Sequence, residues 1–254
     1  MTFMARIYRF FLRHTPVKGL GEIFSISEQT EPEIFFQLTK VLRTEVGQKL
    51  IIVPAQQQAP FYEYHYTAET VGKKELILKL TEKIANENEL GFKLGLVLAL
   101  PNKPDKLEFI LQKAVEIGVG KIVLVEGDFS QLKHQVRLER LQKIVVEAAE
   151  QSERAIIPEL KLDGKMRNYL DEWEKNGGES KLVVAMERSG EAQEIFKNVQ
   201  KSDGLEIVIG PEGGFSPEEK QLIAKLQLTC FSLGKRVLRM ETAVILSLGL
   251  ASML

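Results

Sequence analysis

The run Ile207-Val-Ile-Gly-Pro-Glu-Gly-Gly-Phe-Ser216 passes from a short apolar stretch into three glycines and a proline. Gly210, Gly213 and Gly214 let backbone amides and carbonyls approach a bound molecule closely and permit positive φ. The run is not a phosphate cradle, because it lacks the Lys-Ser/Thr of a P-loop and the spacing of a dinucleotide fingerprint. A second run, Leu233-Gly-Lys-Arg-Val-Leu-Arg-Met-Glu-Thr-Ala243, gathers Lys235, Arg236 and Arg239 ahead of an almost wholly apolar stretch. These cations read either as part of a second ligand-binding loop or as a solvated loop face. Glu241 and Thr242 suit the start of a helix, through its dipole and its N-cap. Cys230 reads as a buried strand-edge residue rather than a nucleophile. One cysteine and three scattered histidines, His14, His65 and His134, exclude an internal disulfide and a cysteine zinc cage and argue against a His-rich metal site.

These segments must be held by a folded core. Hydrophobic types make up 44% of the 254 residues and charged types 27%, which excludes disorder and low-complexity fibres. Thirty-four Lys and Arg against 35 Asp and Glu give a net charge of -1, so a uniformly basic coat is excluded while a local basic patch is not. Cysteine usage suits a reducing compartment, and cytoplasmic localisation is expected. The longest apolar run, Ala243 to Leu254, is too short to span a bilayer, so no membrane partner is expected. The N-terminus carries Arg6, Arg9, Arg13 and Lys18 with no acid before Glu22, yet its alternation of aromatic and β-branched residues reads as a strand rather than a transit peptide.

The first third predicts strands over Ala5–Leu12, Gly21–Ile26, Lys49–Val53, Phe61–Thr70 and Glu75–Lys83, with one helix over Pro32–Arg43. Tyr62, Tyr64, Tyr66 and Ala68 share one strand face, a period of two that marks a half-buried strand. Short strands and one helix suggest a small closed barrel. From Leu94 the pattern alternates between strands and helices: Leu94–Leu100, Ile122–Val125, Leu182–Met186, Ile207–Ile209 and Phe231–Leu233 read as strands. Ser216-Pro217-Glu218-Glu219 is a strong helix start, and Thr242–Leu254 a last helix. Repeated βα units argue for an α/β domain with a mostly parallel sheet, and ligands bind such sheets beyond the carboxyl ends of the strands.

The two runs also carry a family resemblance. GPEGGFSPEE followed by LGKRVLRMETA resembles the C-terminal signature of the SPOUT methyltransferases, and more closely the RsmE-type 16S ribosomal RNA uridine N3-methyltransferases. Leu111-Gln-Lys-Ala-Val-Glu-Ile-Gly-Val119, Ile144-Val-Val-Glu-Ala-Ala-Glu-Gln-Ser-Glu-Arg154, Arg9-Phe10-Phe11 and Val41-Leu42-Arg43 extend the resemblance over nearly the whole chain. It departs at Asp128-Phe129-Ser130, where the family usually has Glu-Arg-Ser, and at Arg140-Leu141, where it often has Arg-Trp.

The resemblance implies a PUA-like β-barrel over residues 1–84 and a SPOUT α/β domain with a deep trefoil knot over 85–254. It implies S-adenosylmethionine (SAM) as methyl donor, a homodimer, and 16S ribosomal RNA within the small ribosomal subunit or its precursor as substrate. Cofactor-binding residues are then expected at Met186, Glu187, Ile209, Gly210, Glu212, Gly213, Gly214, Leu233, Gly234, Val237, Leu238, Met240, Thr242 and Ala243, with Arg239 and Glu241 catalytic. RNA phosphates are expected on Arg6, Arg9, Arg13, Arg43, Lys103 and Lys106. Tyr62, Tyr64 and Tyr66 are open to base stacking or to a barrel core. A SPOUT enzyme for another RNA nucleotide, or a non-catalytic RNA-binding protein of the same fold, remain alternatives.

Overall fold

The computed structural model describes residues 7–15, 19–55, 58–131, 135–177, 180–191 (188–191 by backbone alone), 196 and 204–254. Its residues divide into two compact units: 1–89 with 149–157, and 90–148 with 158–254.

The first unit is built on β1 (Tyr8–Leu12), β2 (Ile23–Ser27), α1 (Pro32–Phe36), β3 (Lys49–Pro54), β4 (Tyr62–Val71) and β5 (Glu75–Ala85). The strands form one mixed sheet in the order β1-β3-β4-β5-β2, with β1 parallel to β3 and the other pairs antiparallel. Among the described residues, β1 and β2 are the two ends of that order and share no ladder. The expected strand start at Ala5 lies outside the described residues. The alternation in β4 places Tyr64, Tyr66 and Ala68 in the core with Phe10, Phe24, Leu50 and Leu78. Tyr66 donates its hydroxyl proton to Gly21 O at 3.0 Å. Tyr64 and Tyr66 are therefore core residues and not base-stacking platforms. The helix predicted to run to Arg43 changes character after Phe36: residues Gln37–Val41 form a π turn, and Leu42 N bonds to Gln37 O.

Arg9 is a correction. Expected on RNA, it is 9% exposed, its guanidinium pairs with Glu63 Oε2 at 2.7 Å, and its other arm donates to the carbonyls of Glu153 and Arg154. Glu89 does the converse, accepting from the Arg154 guanidinium and from the amides of Ala155 and Ile156. Residues 149–157 are held in this unit by both ends of that exchange.

The second unit carries β6 (Leu94–Ala99), α2 (Pro104–Ile117), β7 (Lys121–Glu126), α3 (Leu138–Gln151, whose end belongs to the first unit), β8 (Glu159–Lys165), α4 (Met166–Lys175), β9 (Lys181–Glu191), β10 (Leu205–Ile209), α5 (Pro217–Lys225), β11 (Thr229–Ser232) and α6 (Met240–Ser252). Its sheet runs β11-β9-β10-β6-β7-β8, and every pair is parallel. All six residues of β6 and all five of β10 are buried, as strands covered on both faces require, and the one charge among them, Glu206, accepts hydrogen bonds from Tyr169, Ser180 and Lys121. β8 and α4 are elements that the sequence pattern did not mark. α5 begins with the expected capping box: Glu219 N donates to Ser216 Oγ at 3.1 Å, and Ser216 N donates to Glu219 Oε2 at 2.8 Å. α6 buries Met240, Val244, Ser247, Leu248 and Ala251 on one side, while Leu246 on another is 41% exposed.

Candidate functional site

Residues 185–187 of β9, with the loops beyond β10 and β11, line a cavity of about 710 Å³ within the second unit. Ile209, Leu233, Leu238 and Met240 give it apolar walls, and Glu187 and Glu212 give it two carboxylates. Gly214 (φ +75) and Gly234 (φ +108) sit in the left-handed region, which a residue with a Cβ enters only under strain. A Cβ built on either would meet no protein atom within 4 Å, so both glycines leave space open at the cavity lining.

Thirteen of the fourteen expected cofactor residues line this cavity: Met186, Glu187, Ile209, Gly210, Glu212, Gly213, Gly214, Leu233, Gly234, Val237, Leu238, Met240 and Ala243. Thr242 does not. Ala185, Pro211, Phe215, Lys220, Phe231, Ser232 and Arg236 line it as well and are not among the expected cofactor residues. Arg236 had a legible signal, as a cation inside a ligand-like loop. Lys220 had none, because its place depends on how α5 leaves the glycine loop.

Glu212 is the most strongly held charge in the wall. Lys106 Nζ lies 2.8 Å from its Oε1, and the Asn102 amide points to the same oxygen at 3.4 Å. Burial pushes the Glu212 carboxyl up, but the Lys106 hydrogen bond and nearby backbone amides outweigh it and hold the group below the usual carboxylate range. Glu241 Oε2 is 3.7 Å from the same ammonium and makes no hydrogen bond. Lys106, expected on phosphate, thus spans two carboxylates at the site. The helix start expected at Glu241 and Thr242 falls earlier: α6 begins at Met240, Arg239 is its N-cap residue, and no side chain caps it. Arg239 is exposed and stands between Leu238 and Met240 of the cavity wall.

Of the other expected cations, Lys103 is exposed just before α2, and Arg43 is exposed with φ +52. Arg13 pairs with Glu33 at 3.0 Å. Arg6 lies outside the described residues, as do Lys18 and His134. Cys230 is partly buried, and burial pushes its thiol up, away from the reactive thiolate. Among the described residues, no three His, Cys, Asp or Glu side chains are grouped as metal ligands, and no helix is long and apolar enough to cross a membrane.

The family model of the RNA methyltransferase domain matches residues 87–252. The chain belongs to this family. Within it, the chain is 36% identical over 176 residues to the ribosomal RNA small subunit methyltransferase E of Mesomycoplasma hyopneumoniae, covering 66% of this chain and 72% of that one. The protein of the same name from Bacillus subtilis is 29% identical over 226 residues, 85% of either chain. Among solved structures, a Legionella pneumophila protein described as a methyltransferase in complex with SAM superposes with TM-score 0.77 at 26% identity, covering 98% of both chains. The Neisseria gonorrhoeae ribosomal RNA small subunit methyltransferase E, also bound to SAM, shares the fold, with TM-score 0.79 at 24% identity over 96% of this chain and 95% of that one. The RNA methyltransferase domain of this chain holds the cavity and both glycine loops.

Proposed function

We propose that this protein is a SAM-dependent methyltransferase that modifies N3 of a uridine in small-subunit (16S) ribosomal RNA. The observation that carries the reading is the cavity of about 710 Å³ whose wall contains two left-handed glycines with no protein atom within reach of a Cβ. Its size falls in the range of small-molecule sites. Its donor set suits SAM: apolar walls at Ile209, Leu233 and Leu238, carboxylates at Glu187 and Glu212 for hydroxyl or ammonium groups, and Lys220 and Arg236 for a carboxylate.

When bound, SAM supplies a methyl group on a cationic sulfur, which departs as a neutral thioether carrying the C–S electron pair. The protein's part is to orient the acceptor and manage its charge. Uracil N3 loses its proton as the new C–N bond forms, and negative charge grows on the ring. Arg239, exposed beside the cavity wall, is the proposed cation for that charge. Glu241, whose Oε2 lacks a hydrogen-bond partner, is the proposed acceptor of the proton.

In the same reading, the second unit is a SPOUT domain with a deep trefoil knot, supported by two loops, beyond β10 and β11, that converge with β9 on one cavity of a parallel sheet. The first unit is a PUA-like RNA-binding domain, taking the division at about residue 85. The protein works as a homodimer in the cytoplasm, supported by the apolar side of α6 that its own unit leaves open at Leu246. The test is to map modified nucleotides in 16S ribosomal RNA from a strain lacking the gene, and to restore the methyl with purified protein and SAM. Loss and restoration of one N3-methyluridine is the expected result. A different methylated nucleotide would redirect the reading to another acceptor, and SAM binding without any methylation would remove the enzyme.

A further inference from the structure

The turn after β7, Gly127-Asp128-Phe129-Ser130, lies against the glycine loop of the cavity. A Cβ built on Gly127 would come within 3.0 Å of Pro211 Cδ, and one on Gly213 within 2.9 Å of Phe129 Cβ. The turn is closed twice, by Ser130 N to Gly127 O at 2.9 Å and Gly127 N to Ser130 Oγ at 3.1 Å. Asp128 fastens it to the start of α5: its Oδ2 accepts from Ser216 Oγ at 2.6 Å, and its amide donates to Glu219 Oε1 at 3.0 Å. The Ser216 hydrogen bond, with the charge of Arg167, holds the Asp128 carboxyl below the usual range, so the tie is charged at neutral pH.

This fastened turn presents an aromatic ring whose base packs against Gly213. Phe129 is 46% exposed, and among the described residues it stacks on no other aromatic ring. Cations stand beside it: Arg167 reaches Asp128 Oδ1 with one nitrogen at 3.1 Å while its side chain stays 41% exposed, and Lys165 acts on Asp128 through its charge. The further acids nearby are Glu126, exposed at the end of β7 opposite Lys165, and Asp163, which accepts from the amide of Gly164.

We infer that Phe129 is a stacking platform for a nucleotide of the RNA substrate entering beside the cavity, with Arg167 and Lys165 taking its phosphate. A half-exposed phenylalanine offers on the order of 100 Å² of apolar surface. That matches one base face and falls far short of the ~800 Å² per partner of a stable protein interface. Ring, flanking cations and a rigid mount beside a donor cavity are what single-stranded nucleic acid requires. The inference rests on the RNA methyltransferase reading above.

The full-length Phe129→Trp variant tests it directly, titrated with a single-stranded oligouridylate and followed by tryptophan fluorescence, with the wild type and its Trp173 as background. The expected result is saturable quenching in the variant that the wild type lacks. Phe129→Ala should weaken affinity for the same RNA about tenfold, the size of one base–aromatic stack. It should leave SAM affinity by calorimetry and the sedimentation coefficient unchanged. Arg167→Gln should instead lower the slope of log affinity against log salt by about 0.7, which Phe129→Ala should not do. Unchanged RNA affinity in Phe129→Ala, or an unquenched Phe129→Trp, overturns the platform. So does a loss confined to SAM affinity or to self-association. If the wild type binds no RNA, both this inference and the enzymatic reading fall; if only the variants behave like wild type, this inference falls alone.

Discussion

Lys106 and Glu212, 106 residues apart in sequence, are joined by a 2.8 Å charge-assisted hydrogen bond at the cavity wall. The same ammonium lies 3.7 Å from Glu241 Oε2. One lysine therefore fixes a carboxylate that faces the proposed donor and stands near the carboxylate proposed to take the acceptor's proton.

Lys106→Met should consequently disturb SAM binding before it disturbs RNA binding. Lys106 lowers the folded-state pKa of Glu212, so removing it raises that pKa and protonates the carboxyl at a higher pH. If ionised Glu212 holds the donor, its contribution is present above its pKa and lost as pH falls through it. The acid limb of SAM affinity should therefore move to higher pH in Lys106→Met, with the several-fold loss confined to acid pH, read by calorimetry across pH. An unchanged acid limb together with a shallower salt dependence of RNA binding would return Lys106 to the role of a phosphate contact.

Gly214→Val should abolish measurable SAM binding while the first unit stays folded. At φ +75 a β-branched residue is strained, and its branches would fill space that the cavity wall leaves open. Calorimetry with circular dichroism checks this, and native-like affinity in the folded variant would remove the glycine loop from the site.

Sequence revealed this loop because its chemistry is local: a buried strand, then glycines, then a capped helix start. The same locality exposed the strands of the parallel sheet, whose apolar runs need no knowledge of their neighbours. β8 and α4 escaped because β8 is an edge strand whose residues are exposed or half-buried, and α4 buries only Met166, Tyr169 and Leu170. Neither shows a long apolar signal. Arg9 escaped for a different reason. Its charge is visible in sequence, but the carboxylate that neutralises it, Glu63, is brought to it only by folding. Lys106 follows the same rule, since its partner Glu212 arrives only with the fold: a lone cation says nothing of its partner.

Arg9→Ala should therefore act on stability. Removing one member of a buried pair leaves the other charge uncompensated, at a cost of about 3–5 kcal/mol. Burial pushes Glu63 up, but the hydrogen bond from His65 and the charge of Arg9 prevail and hold it below the usual carboxylate range. The stability tied to this depressed pKa is present above the ordinary carboxylate value of about 4 and is lost as pH falls below it. Denaturant unfolding should show both the loss at neutral pH and a flatter acid dependence in the variant. Wild-type stability with weakened RNA affinity would reinstate Arg9 as an RNA contact.

The α6 surface sets a further expectation. Leu246 is 41% exposed and Leu250 is partly so on a helix with no charged residue after Glu241. Placing Lys at both positions should convert a dimer into monomer or aggregate and reduce SAM binding, read by analytical ultracentrifugation and calorimetry. A fully active monomer would remove the dimer from the proposal.

Arg239→Ala should slow methyl transfer far more than it weakens SAM binding. Arg239 is the exposed N-cap residue of α6, and its neighbours Leu238 and Met240 line the cavity. Its backbone neighbours are thus committed to the cavity wall, and its side chain, exposed among the described residues, can face an acceptor. A cation there matters little to a neutral ground-state uracil and most when the ring turns anionic. The loss therefore belongs in the rate constant, by roughly two to three orders of magnitude if Arg239 acts as a preorganised charge stabiliser. Arg239→Lys should recover part of that loss, since it restores charge without the planar fork. Phe129→Ala provides the contrast, with weaker RNA binding and the rate at saturating RNA largely kept. Single-turnover methylation at saturating RNA and SAM separates the two. A normal rate for Arg239→Ala under those conditions would make Arg239 a binding residue only, and would move the catalytic cation to Arg236 or Lys220, the two cations that line the cavity itself.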